Sequence, residues 1–356
     1  MTELTNNQRR CLGLEEIPVS WDRMELGEGN SIYFDGDTIR KETAYAEGFY
    51  RESSMMVETE QNRTMLVPKN SRGKLKKLTR SHVLDRASYG MYLQWDRGVV
   101  TLANYTTQVT YYTSAYEGIR IDSKEAFTDW LERWEKETTS EGFREIQGFA
   151  AAKRKHCRYQ EGDFFRFRFD RRTYGYGRIL FDIGKWKKAG NPFWDILMGK
   201  ALVVQLFHIV TEDPHVPMEE LAGLPVCPSQ FIMDNIFYHG ECELIGNMPL
   251  TGEVDYPVMY GRSIDARDPD KIIFCRGREY RECSAGDVKP VRGDYRNNSI
   301  GWSLKINKAV MEECIRKNSN MPYWDQELFG LEGDLRNPKN RHTYKKIRKQ
   351  MGGTVV

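Results

Sequence analysis

Three of the six histidines fall in one region and invite a catalytic reading: His208 and His215 flank Asp213-Pro214, and His239 follows. With Asp213 they could ligate a hydrolytic metal, which would lower the pKa of bound water and polarise a phosphoryl oxygen. Against this, His208 lies inside the apolar run ALVVQLFHIV (201–210), and no partner stands at a recognised ligand spacing. A histidine satisfied within a core explains it better, so His208, His215 and His239 are a secondary metal reading and no cofactor is expected.

Other reactive groups give less. Cys157 adjoins His156, but neighbours along a strand point to opposite faces, so adjacency makes no nucleophile–base pair. Glu241 and Glu243 share a strand face with nothing to raise one pKa, and they read as facing solvent or a partner. No phosphate-binding loop, Gly-x-Ser-x-Gly elbow or His-Glu-x-x-His pattern occurs, so no catalytic residue is assigned. Seven scattered cysteines without a Cys-x-x-Cys pair read as reduced thiols of a cytosolic chain.

Recognition chemistry is richer. In YQEGDFFRFRFDRRTYGYGRILF (159–181), Phe165, Phe167 and Phe169 alternate with Arg166 and Arg168, a period of two that places rings and charges on opposite faces of a strand. Asp170 to Thr173 supply a turn. The return strand then sets Gly175, Gly177, Ile179 and Phe181 on one face and Tyr174, Tyr176, Arg178 and Asp182 on the other. Gly175 and Gly177 leave room for the phenylalanine row. The expected outward face therefore carries Arg166, Arg168, Tyr174, Tyr176, Arg178 and Asp182, types favoured at interface hot spots and equally found on an ordinary amphipathic sheet.

The Gly162-Asp163-Phe164 opening, the alternating strand, the return Tyr176 to Leu180, and the later block GECELIGNMPL (240–250) together resemble the immunity protein 26 family over roughly 159–283. That resemblance implies a bacterial protein that neutralises a toxin of its own lineage, with the cognate toxin as partner. Similar sequences are also labelled phosphotriesterase-like, which keeps a metal-dependent hydrolase as the alternative.

The remaining elements are those needed to hold such a hairpin. At 356 residues and 40% hydrophobic content the chain suggests two domains with extensions, an α+β fold that is mainly antiparallel sheet with a few flanking helices. Residues 1–152 read as an unrecognised β-rich domain. Within it Asp122-Ser123-Lys124-Glu125, with an Asp or Ser oxygen as the cap, opens a helix near 123–137 that aligns Phe127, Trp130, Leu131 and Trp134. Residues 153–300 read as a second, barrel-like β domain, and 301–356 as a helical basic extension with seven Lys or Arg and no acid after Asp334. A second basic run, PKNSRGKLKKLTR (68–80), lacks interleaved aromatics. A net charge of +2 fits neither a DNA mimic nor a strong nucleic-acid binder, which leaves nucleic-acid binding as a lesser alternative. Without a signal-like N-terminus or an apolar run of spanning length, a soluble cytoplasmic protein with no membrane partner is expected.

Overall fold

The structure is a computed structural model; it describes residues 3–59, 71–74, 88–153, 157–187, 200–238, 240–262, 268, 270–288, 306–318 and 333–352. Most of the basic run 68–80, and the turns expected after Asn191-Pro192 and around Tyr323-Trp324, lie outside those residues. The chain divides into two compact units, Met1–Lys155 and His156–Val356.

The first unit opens with α1 (Asn6–Cys11), followed by β1 (Asp22–Gly27), β2 (Asn30–Asp35), β3 (Thr38–Ala46), β4 (Phe49–Glu58), β5 (Ser88–Asp96), β6 (Val99–Asn104) and β7 (Val109–Thr113). These seven strands pair in sequence order as an antiparallel meander. Helices α2 (Lys124–Glu137) and α3 (Ser140–Ala150) then cover one face. The Ser123 hydroxyl accepts from the Ala126 amide at 3.1 Å, which starts α2 where the sequence signals it. Its stripe Phe127, Trp130, Leu131 and Trp134 is buried, and Phe127 stacks on Trp95 at 4.6 Å between centroids. Each such side chain contributes about 1.5–3 kcal/mol of burial.

Inside this unit lies a buried charge network that the sequence does not announce. Glu52 receives Lys41 Nζ at 2.6 Å, Arg9 Nε at 2.8 Å and the Tyr50 hydroxyl at 2.7 Å. Burial alone would raise the Glu52 pKa, but Lys41 and Arg9 outweigh it and hold the carboxyl below its ordinary value.

The second unit begins with the expected hairpin, β8 (Asp163–Arg168) and β9 (Tyr174–Asp182). Phe165 stands opposite Gly177 and Phe167 opposite Gly175. A Cβ added to Gly175 would lie 2.4 Å from Phe167 Cζ, and one on Gly177 2.4 Å from Phe165 Cζ. Each glycine is thus the floor on which a ring lies. The chain continues through α4 (Ile183–Lys187), β10 (Ala201–Thr211), α5 (Met218–Ala222), β11 (Gln230–Met233), α6 (Asn235–Tyr238) and β12 (Cys242–Asn247). The five strands pair in the order β11-β10-β9-β8-β12. A separate sheet of β13 (Val258–Arg262), β14 (Lys271–Arg276) and β15 (Glu279–Ser284) follows, then α7 (Lys308–Asn318) and α8 (Arg341–Gln350).

Two expectations fail here for identifiable reasons. Among the described residues the sheets do not close into a barrel, since the larger one ends at β11 on one side and β12 on the other. Apolar clusters fill both of its faces, so it is a packed layer with no lumen. In addition, Val203 pairs with Phe181 while Val204 pairs with Ile179, which makes Leu180 the extra residue of a bulge. Beyond it the faces exchange. Phe181 packs with Val203, Met259 and Ile273 instead of with Ile179, and Asp182 pairs with Leu202, whose side chain belongs to the Phe165 cluster.

The last two helices complete these cores. Asn307 Oδ1 accepts from the Val310 amide at 3.1 Å and starts α7, which sets Met311 and Cys314 against Phe165, Phe167 and Leu206. Ile347 of α8 and the following Met351 pack on Val258, Tyr260 and Phe274 of the three-stranded sheet.

Candidate partner-binding surface

The face expected to be outward is largely covered. Residues 213–226, including α5, fold back across it and bring Val216 and Leu221 onto Phe164, Tyr176 and Phe207. Prolines 214, 217 and 225 keep this crossing irregular, so its apolar side chains give no periodic signal. Tyr176 has no exposed surface, and its hydroxyl donates to the Asp213 carbonyl at 2.6 Å. This corrects its assignment as an outward residue.

Arg178 is also engaged within the fold. Its guanidinium lies 4.8 Å from the Phe164 ring centroid and donates to the carbonyls of Met248 at 2.5 Å and Pro249 at 2.9 Å. It pins the segment after β12 to the hairpin, with its pKa lowered by burial. Asp182 sits beyond the bulge, where its carboxylate accepts from the Gly184 amide at 2.9 Å at the start of α4. The six residues therefore do not form one surface.

Three of them do converge. Arg166 and Arg168 hold their guanidinium carbons 5.6 and 5.2 Å from the Tyr174 ring centroid, so one ring neighbours two cations. Arg166 donates to Glu243 Oε2 from Nε at 3.1 Å and Nη2 at 2.8 Å, and also to the Pro214 carbonyl. Glu243 is its directly paired neighbour on β12. Arg168 donates to the Arg171 carbonyl at 2.9 Å, and the Asp170 carboxylate accepts from the Arg172 and Thr173 amides at 2.7 and 2.8 Å to fix the turn. All three side chains are half-buried, whereas Glu243 remains 64% exposed. An ion pair so open to solvent adds only ~0.2–1 kcal/mol to stability, so its main effect is to hold the arginine in place.

Glu243 is the member that the sequence left unpaired; the alternation of β12 against β8 is the signal that aligns it with Arg166. Among the described residues β12 is also the terminal strand of the sheet on this side. Beside β12 runs a shallow cleft lined by Tyr159, Asp163 and residues 244–247. Such an edge offers backbone groups as well as side chains to a partner.

The histidines separate. His215 is exposed in the turn after β10, where its amide donates to Asp213 Oδ1 at 2.8 Å, and His239 lies outside the described residues. His208 is buried on the other side of β10, where it meets Cys227 and Cys314. The neighbouring Cys227 thiol holds the Cys314 pKa below its ordinary value, with His208 adding to the effect. Neither cysteine was singled out by the sequence, because nothing local joins them. His208 and His215 therefore do not share a site.

No helix among the described residues is long and apolar enough to cross a membrane. Comparison with known proteins finds no match among curated proteins and none among solved structures. A family model does match one segment, which runs from just before β8 to the first residue of β14 and takes in the whole five-stranded sheet. Residues 160–271, which build the hairpin and the Arg166–Glu243 edge, match the family of immunity protein 26.

Proposed function

We propose that this protein binds a cognate bacterial toxin and neutralises it by occluding the toxin's working surface. The match of residues 160–271 to immunity protein 26 carries this reading. The contact region is the strip of Arg166, Arg168, Tyr174 and Glu243 along the β12 side of the sheet. Its composition suits a binding hot spot: an aromatic ring that buries large area, flanked by arginines able to pair with carboxylates. Internal hydrogen bonds already orient the arginines, so little side-chain freedom is lost on association. The adjacent acid and bases select a partner of complementary charge pattern and repel others. The first unit adds contacts or specificity.

The test is affinity capture from the native bacterium with the full chain, followed by titration of the purified partner. Tyr174→Ala and Arg168→Ala should each weaken the complex by about 2 kcal/mol, roughly thirtyfold, while the unfolding midpoint stays in place. Unchanged affinity in both folded variants would remove the strip from the interface.

A further inference from the structure

The strand pairing places three soft donors around one point inside the second unit. Phe207 bridges Val226 in antiparallel register, so Cys227 stands opposite Leu206, and the amides confirm the alignment: Cys227 donates to the Leu206 carbonyl at 2.8 Å and His208 to that of Pro225 at 2.9 Å. His208 and Cys227 are thus diagonal neighbours on one side of β10, while Phe207 and Val226 point to the other. Helix α7 packs on that side and brings Cys314 beside them. A ring nitrogen of His208 and the two sulfurs all lie within 4.8 Å of one another.

Buried thiols alone are ordinary small hydrophobes, but the histidine is not so easily dismissed. His208 is 8% exposed, and neither Nδ1 nor Nε2 meets a partner in hydrogen-bond geometry; the neighbours offered to a ring nitrogen are the Cys227 and Cys314 sulfurs. A buried polar group left in that state costs about 1–3 kcal/mol, and each neutral imidazole has one nitrogen lone pair to offer. Around a tetrahedral zinc ion, sulfur ligands at ~2.3 Å stand about 3.8 Å apart, so the observed triangle closes with shifts of about 1 Å or less. Charge agrees as well. Two thiolates cancel a divalent cation, which leaves a neutral centre in a core of Phe167, Leu206, Met311 and their neighbours.

We propose that His208, Cys227 and Cys314 form a site for a soft divalent cation of the zinc class, which clamps helix α7 to strand β10. Binding deprotonates both thiols and forms two metal–sulfur bonds and one metal–nitrogen bond, releasing two protons to solvent for each ion taken up. Cys314 lies outside the segment 160–271, so the site needs the C-terminal helix of this chain. It is a structural device, independent of how the protein binds a partner.

The experiment titrates the metal-free full chain with cobalt(II) and then displaces it with zinc. One cobalt per chain is expected, with a thiolate-to-cobalt charge-transfer band and a rise in the thermal midpoint of the second unit. His208→Gln, Cys227→Ser and Cys314→Ser should each weaken cobalt binding at least about a hundredfold, more than the 10–100-fold that changes to a ligand's supporting partners cost. Cys275→Ser, in a different core cluster, should leave it intact. Zinc X-ray absorption on the wild-type chain keeps the test decisive if the variants do not fold: two sulfurs at about 2.3 Å and one nitrogen near 2.0 Å support the site, and a shell of nitrogen and oxygen alone overturns it. Absence of the charge-transfer band, or a Cys227–Cys314 disulfide in place of metal uptake, also overturns it.

Discussion

Adding one methyl group to either hairpin glycine tests how the second unit is packed. At Gly175 the three atoms nearest the new Cβ all belong to the far end of the Phe167 ring, at 2.4, 2.8 and 3.0 Å. At Gly177 it would meet Phe165 Cζ at 2.4 Å and, in addition, the Gln205 carbonyl oxygen at 2.9 Å. A ring can tilt, whereas a carbonyl fixed in a neighbouring strand cannot. Overpacking of this kind costs ~1–3 kcal/mol. Neither glycine needs a left-handed backbone, so alanine also returns ~0.4–1 kcal/mol by restricting the unfolded chain. The net expectation is a loss of about 1 kcal/mol for Gly175→Ala and about 2 kcal/mol for Gly177→Ala. Amide hydrogen exchange in β8 and β9 reads the local opening free energy directly and avoids assuming that both units unfold together. Phe167→Leu should offset part of the Gly175→Ala loss, with a coupling of at least ~0.5 kcal/mol, and couple less with Gly177→Ala, which it reaches only through Phe165. Equal costs at the two positions, or strict additivity of the Gly175 pair, would refute the idea that each glycine floors one ring.

The other expectations are as follows. Glu52→Gln leaves Arg9 and Lys41 buried without a counter-charge and should destabilise the first unit by about 3–5 kcal/mol in urea unfolding. Because the folded-state pKa of Glu52 is depressed, its stabilisation is present above the unfolded value of about 4.3 and disappears as pH falls through the folded value; Glu52→Gln should flatten that acid limb in a pH series of unfolding midpoints. Tyr176→Ala removes a fully buried ring and should cost about 3–5 kcal/mol, whereas Tyr174→Ala should leave the unfolding midpoint near wild type, a contrast visible by thermal melting. Gly148→Ala, on an exposed helical site with nothing within 4 Å, should stabilise the first unit by about 0.5–1 kcal/mol.

What the sequence made legible was local. The alternation of Phe165, Phe167 and Phe169, the glycines facing them, the stripe on α2 and the cap before it each rest on contacts that period and residue type dictate. What it concealed depends on parity and on distance along the chain. One extra residue at Leu180 reverses every later side chain of β9, and an unbroken count of two could not place Phe181 or Asp182. Tyr176 alternates with buried glycines as a surface residue would, but the proline-broken segment 213–226 covers it, and such a crossing leaves no periodic trace. The triangle of His208, Cys227 and Cys314 arises from a bridge between β10 and an irregular strand and from a distant helix, so no spacing rule reaches it. Arg166, Arg168 and Tyr174 do lie together, because the hairpin pairing sets Arg168 opposite Tyr174 and Arg166 two residues away on the same face.

The central claim is tested most directly by titrating the captured partner with the full wild-type chain while following the partner's toxicity. A stoichiometric complex that abolishes toxicity, with Tyr174→Ala and Arg168→Ala each shifting the required concentration about thirtyfold, is the predicted result. A partner that remains fully toxic when saturated with the wild-type chain would contradict neutralisation by binding.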